Sequence, residues 1–139
     1  MIFLGAPYPI LKNPKGLLYT QNGINQVKSD LLVLLLTTPG ERVMLPNYGT
    51  PLKELVFEQN DDVVAQKAKD MIARSISAWE PRITVTDISV FNVANENSLD
   101  PADSMEETDH VLSISIKFFD PENIRNIQEL KLELPLGGR

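Results

Sequence analysis

The chain has 139 residues, 42% of them apolar and 23% charged, the length and make-up of one domain (residues 1–139) with a real core. A net charge of −6 argues against a surface built for nucleic acid or anionic lipid, so neither nucleic acid nor membrane is expected as a partner. The absence of cysteine excludes disulfides and thiolate metal sites and suits folding in a reducing cytosol.

The charge is unevenly placed. Glu96, Asp100, Asp103, Glu106, Glu107 and Asp109 lie together with no Lys or Arg among them. Without these six the remaining thirteen acids balance the thirteen bases, so residues 94–109 read as an acidic loop. Their spacing lacks the alternating ligands and central glycine of a calcium loop, and no metal is expected there. The sole histidine, His110, has no second histidine to share a metal or a proton with.

In chain order, residues 1–15 hold three of the ten prolines and read as an extended N-terminal arm. Met1–Ala6 is too short, and lacks the basic start, for a signal peptide. Gly16–Thr20 is a candidate short strand. Asn22 or Asn25 can cap a helix whose apolar positions Ile24, Val27, Leu31, Leu34 and Leu35 keep helical spacing. Leu32, Val33 and Leu36 make its last turns apolar nearly all round, so that end must be covered on most sides. The aliphatic run Leu31–Leu36 is far too short to span a membrane.

Thr38-Pro39-Gly40-Glu41 has Pro and Gly where a type II turn wants them. Arg42–Leu45 then reads as a short strand, and Thr50 as the cap of a short helix opened by Pro51. The long helix is capped by Asn60, with Asp61 and Asp62 at its positive end. Val64, Ala68, Met71, Ile72, Ser75, Ile76 and Trp79 share one face, and Pro81 stops it. Ile83–Val93 is strand-like, but its alternation slips, which either a bulge near Thr86-Asp87 or burial of both faces would explain. Leu112–Phe118 and Leu130–Leu134 alternate cleanly around a turn at Asp120-Pro121-Glu122-Asn123, a hairpin with one wet face. Helices followed by strands predict an α+β fold, a mainly antiparallel sheet with two principal helices packed on one face.

The segment Leu34–Gly49 contains Thr37/Thr38, Gly40-Glu41-Arg42, Pro46, Tyr48 and Gly49, continuing to Phe57. A second group, Glu80-Pro81-Arg82 with Ile83, follows the long helix. This ordered set resembles the "lysozyme-like" baseplate wedge proteins of contractile-tailed phages, shared with type VI secretion baseplates. The resemblance implies a structural subunit of a virion tail baseplate, assembled in the host cytoplasm. It would tie other baseplate wedge proteins together and template the tail sheath protein, in a fold similar to the strand-exchanging sheath domain.

Glu80, Pro81 and Arg82 can be a helix stop or, as the resemblance implies, a rigid corner presenting a guanidinium to a partner carboxylate. Arg82, outside the apolar stripe, is then expected to matter for binding and not for folding. Glu41 and Arg42 are the second interface candidates, with an internal pair bracing the turn as the alternative. Glu129, Lys131 and Glu133, on the wet face of a C-terminal edge strand, mark the expected sheath-docking strand. The alternative activity is a peptidoglycan-cleaving glycosidase. Such an enzyme needs two carboxyls across a cleft lined by aromatics. Glu41, Glu54, Glu58 and Glu80 form no such pattern, Trp79 is the sole tryptophan, and no catalytic residue or cofactor is expected. A small regulatory adaptor of similar fold would leave the wedge-type motifs unexplained.

Overall fold

The computed structural model describes residues 4–57, 62–93 and 111–135. The expected cap at Asn60-Asp61, the acidic loop, Glu58 and His110 lie outside the described residues, as do residues 1–3 of the arm.

Strands β1 (Leu4–Gly5) and β2 (Gln21–Asn22) pair antiparallel and bring the arm back beside helix α1 (Gly23–Leu36). Between them the chain forms a hairpin closed by one bridge, Lys12 to Leu18, in place of the expected strand at Gly16–Thr20. The root of this hairpin is tied to α1. The Tyr8 N–H donates to Ser29 Oγ at 3.2 Å, and Gln21 Nε2 donates to Asn25 O at 3.1 Å. A Cβ on Gly5 would stand 2.5 Å from the Gln26 amide, so the backbone lies directly on that buried side chain.

The turn at Thr38–Glu41 forms as expected, with Gly40 at φ +94° and the Glu41 N–H donating to Thr38 O at 3.1 Å. The expected strand at Arg42–Leu45 does not form. Those residues make tight turns, closed by Leu45 N–H to Arg42 O and Tyr48 N–H to Leu45 O, and among the described residues no strand pairs with them. Thr50 precedes a 3-10 helix, Pro51–Phe57, but its hydroxyl donates back to Leu34 O at 3.2 Å instead of capping.

Helix α2 (Asp62–Trp79) buries Val64, Ala68, Ile72, Ser75 and Ile76, the predicted stripe. Of the other two stripe residues, Met71 is half-buried against the core and Trp79 stands 37% exposed at the end of the helix. The main sheet has the order β3 (Thr84–Val93), β4 (Val111–Phe119), β5 (Gln128–Pro135), all antiparallel. Its register slips between Val85 and Asp87, so Thr86 is the extra residue of the expected bulge. The hairpin turn is held by Asn123 N–H to Asp120 O at 2.8 Å and Glu122 N–H to Asp120 Oδ1 at 2.9 Å.

Helix α2 lies on the sheet and α1 packs against α2, giving the α+β architecture. Central strand β4 turns Leu112, Ile114, Ile116 and Phe118 into the core, all fully buried, and each contributes about 1.5–3 kcal/mol over an exposed position. Leu31, Leu34 and Leu35 of α1 join the same cluster, while Leu32, Val33 and Leu36 stay half-buried. The all-round apolar end of α1 is thus covered on most sides, fully at Leu31, Leu34 and Leu35 and in part at the other three.

Candidate partner interface

Helix α2 ends where Pro81 removes a backbone donor. The Glu80 N–H still reaches Ile76 O at 2.8 Å, and the Glu80 side chain turns inward to 5% exposure. The Arg82 guanidinium grips both Glu80 carboxylate oxygens and also donates to Asp30 Oδ2 of α1 at 2.5 Å. Gln26 Nε2 holds the other Asp30 oxygen at 2.7 Å. Glu80, and Asp30 after it, hold the Arg82 pKa above its already high ordinary value. A guanidinium between a buried carboxylate and a second helix fixes that corner, because removing it would strand Glu80 without a counter-charge. The expectation that Arg82 is dispensable for folding is corrected by this geometry: it joins α1 to the α2–β3 corner.

The other motif behaves differently. Glu41 and Arg42 do not pair with each other. Glu41 braces the turn, accepting the Thr38 N–H at 2.9 Å and Lys53 Nζ at 2.8 Å. The Lys53 hydrogen bond, then the Thr38 N–H, hold its carboxyl below the usual carboxylate range. Arg42 lies over the Tyr48 ring, 4.0 Å from its centroid, and Tyr48 meets Trp79 edge-on at 5.3 Å and 65°. Burial pushes the Tyr48 phenol up.

Gly49 seats the loop on helix α2. Its φ is +124°, and a Cβ there would sit 2.3 Å from the Thr37 carbonyl oxygen. Its own carbonyl accepts the buried Ser75 hydroxyl of α2 at 3.1 Å, and the next N–H donates to Thr37 O at 2.9 Å. One residue thus touches the end of α1, the loop and α2. Between Arg42 and Tyr48 the loop displays Val43 and Met44, 92% and 91% exposed. The strand expected over these two is a turn. Their apolar character was visible in the sequence, but their display was not.

The sequence profile of the family described as baseplate wedge protein gp25 matches residues 21–118. The chain belongs to that family. Baseplate wedge protein gp25 of Enterobacteria phage T4 is 26% identical over 117 residues, covering 84% of this chain and 79% of the relative. A protein of the anti-feeding prophage baseplate shares the fold at a TM-score of 0.62 and 18% identity, over 98% of this chain and 87% of its own. A candidate tail lysozyme from Geobacter sulfurreducens also reaches 0.62, at 20% identity over 81% and 90%. The protein is therefore a baseplate wedge subunit.

In this wedge protein the residues of the expected sheath-docking strand lie on β5, an outer strand of the sheet. Glu129 and Lys131 are exposed on the wet face, and Glu133 follows in the same phase. Ser115 Oγ donates to Glu129 Oε1 at 2.8 Å, the main cause of the lowered Glu129 pKa, and Lys131 Nζ stands 3.6 Å from Glu129 Oε2. Among the glycosidase candidates, Glu41 is paired with Lys53, Glu80 is enclosed by Arg82, and Glu54 stands exposed on the 3-10 helix. Among the described residues no group of acids and histidine could hold a metal, and no helix is long and apolar enough to cross a membrane.

Proposed function

We propose that this wedge subunit works by docking alone, in the virion tail baseplate, assembled in the host cytoplasm. The corner built from Gly40–Gly49 and Glu80–Arg82 ties it to other wedge proteins. The edge of β5 templates the tail sheath protein by strand addition. The observation that carries the first part is the contrast at one corner: a braced, ion-paired base and a nearly fully exposed apolar tip at Val43-Met44 beside the Arg42 guanidinium. Rigid display of apolar and Arg side chains is how docking sites concentrate their energy. Arg82, Glu80 and Pro81 serve it as positioning residues, while Glu41 keeps the turn closed.

Replacing Val43 and Met44 together by Asp should leave the melting temperature unchanged and weaken co-purification with wedge proteins by about tenfold or more. Equal recovery of wedge proteins would remove the tip from the interface. For β5, successive backbone N–H groups point to opposite edges, so Lys131→Pro and Leu132→Pro remove one inward and one outward donor. Whichever variant retains its circular dichroism spectrum should nucleate sheath polymerisation more slowly than wild type. Nucleation at the wild-type rate by that folded variant would exclude strand addition at β5.

A peptidoglycan-cleaving glycosidase is the contrasting reading. A general acid needs a raised pKa, and Glu41 is shifted the other way. Release of soluble muropeptides from peptidoglycan by the purified protein would reverse the conclusion.

A further inference from the structure

The hairpin between β1 and β2 carries a second group of exposed apolar side chains. Ile10, Leu11, Leu17, Leu18 and Tyr19 are each between 46% and 70% exposed, and both strands of the hairpin carry them. Two strands of a few residues do not stabilise themselves in water, yet this pair has a built root. Pro7 is buried, Tyr8 and Gln21 bond to α1, and Gly5 lies on Gln26, whose amide holds the Asp30 that receives Arg82. The hairpin therefore leaves the fold beside the ion-paired corner, on a fixed base.

Its charge is unlike that of the rest of the chain. The first acid in the sequence is Asp30; before it stand only Lys12, Lys15 and Lys28, in a protein whose net charge is −6. Lys12 and Lys15 flank the exposed leucines at the hairpin end. The hairpin also precedes residue 21, where the family match begins, although the fold of the anti-feeding prophage baseplate protein covers 98% of this chain. The hairpin therefore lies outside the matched family segment but within the span of the fold likeness.

We propose that the segment Leu4–Asn22 is an insertion element that docks into an apolar cleft, rimmed by carboxylates, of a neighbouring baseplate protein. Apolar side chains on both strands require walls on both sides, and a cationic end with no acid of its own selects an acidic rim. A lipid surface fits less well. An open two-stranded hairpin carries unpaired backbone groups that hydrocarbon cannot satisfy, and two lysines attract an anionic surface only weakly.

The inference rests on the proposed role as a wedge subunit, and the test separates the two. The full chain is co-expressed with the wedge proteins of its own baseplate, as wild type, as Leu17→Ser/Leu18→Ser and as Lys12→Glu/Lys15→Glu. All three should give the same circular dichroism and melting temperature. Both variants should bind the wedge proteins about tenfold or more weakly, and raising the salt should weaken wild type but not the lysine variant. Wild-type binding by both variants would overturn the hairpin's role and leave the wedge role intact. Failure of wild type itself to bind would overturn both. Two further arms exclude other occupants. Co-sedimentation of wild type, but not of Leu17→Ser/Leu18→Ser, with phosphatidylglycerol vesicles would assign the hairpin to a membrane. A wild-type dimer abolished by the same variant would assign it to a second copy.

Discussion

Two arginines of this protein, each next to a turn and each close to a glutamate in sequence, have opposite surroundings. Arg82 is directed inward, held by a buried Glu80 and by Asp30 from the other helix. Arg42 lies on the face of a tyrosine at the surface, and the residues after it stand in solvent. The contrast shows that a motif's chemistry does not decide its role. The enclosure does: a carboxylate at 5% exposure must keep its counter-charge, whereas a surface guanidinium can lie on a ring and remain available. One motif therefore sets the geometry of the corner, and the other presents it.

The contrast can be broken most severely at Gly49. Gly49→Ala places a methyl against the Thr37 carbonyl at a positive φ and should cost at least about 3 kcal/mol, read as a lower denaturant midpoint. An alanine variant of wild-type stability would mean the loop is not seated against Thr37 there. Arg82→Ala should come next, at about 2–4 kcal/mol, because it leaves Glu80 enclosed without a cation. Loss of wedge binding at unchanged stability would make Arg82 a direct contact and erase its difference from Arg42.

The smallest expected effect sharpens the comparison through pH. Glu41 has a folded pKa below its unfolded one. Its contribution is therefore present above the ordinary carboxylate value, about 4.3, and lost as pH falls through the lower folded value. Glu41→Gln should flatten the fall in melting temperature as the pH drops from about 5 to about 3, with little change near neutrality. An unchanged acid slope would show that the Lys53 contact is not populated in solution.

What was legible in the sequence follows the range of the interactions. The α2 stripe, the type II turn at Gly40, the bulge at Thr86 and the β4–β5 hairpin were all readable, because each is set by residues a few positions apart. Val43-Met44-Leu45 has strand-like composition, but a strand needs a partner, and among the described residues none pairs with it. The inward turn of Arg82 was hidden for a related reason, since its second carboxylate, Asp30, lies 52 residues away. Trp79 fell on the predicted apolar face by periodicity, yet its position at the last turn of α2 left it against Tyr48 at the surface.

The extra residue in β3 gives the main sheet a direction. A bulge bends and twists its strand, so the outer edge of β3 presents a ladder that falls out of step at Thr86. The pairing of β4 with β5 runs from Phe118 with Gln128 to Val111 with Pro135 without a slip, so the backbone of β5 carries no such interruption. Two copies meeting through β3 would lose register within a few residues, which disfavours the back-to-back pairing that turns exposed sheets into fibres. Among the described residues β5 is thus the outer strand with an unbroken ladder, the edge that the proposed strand addition would use.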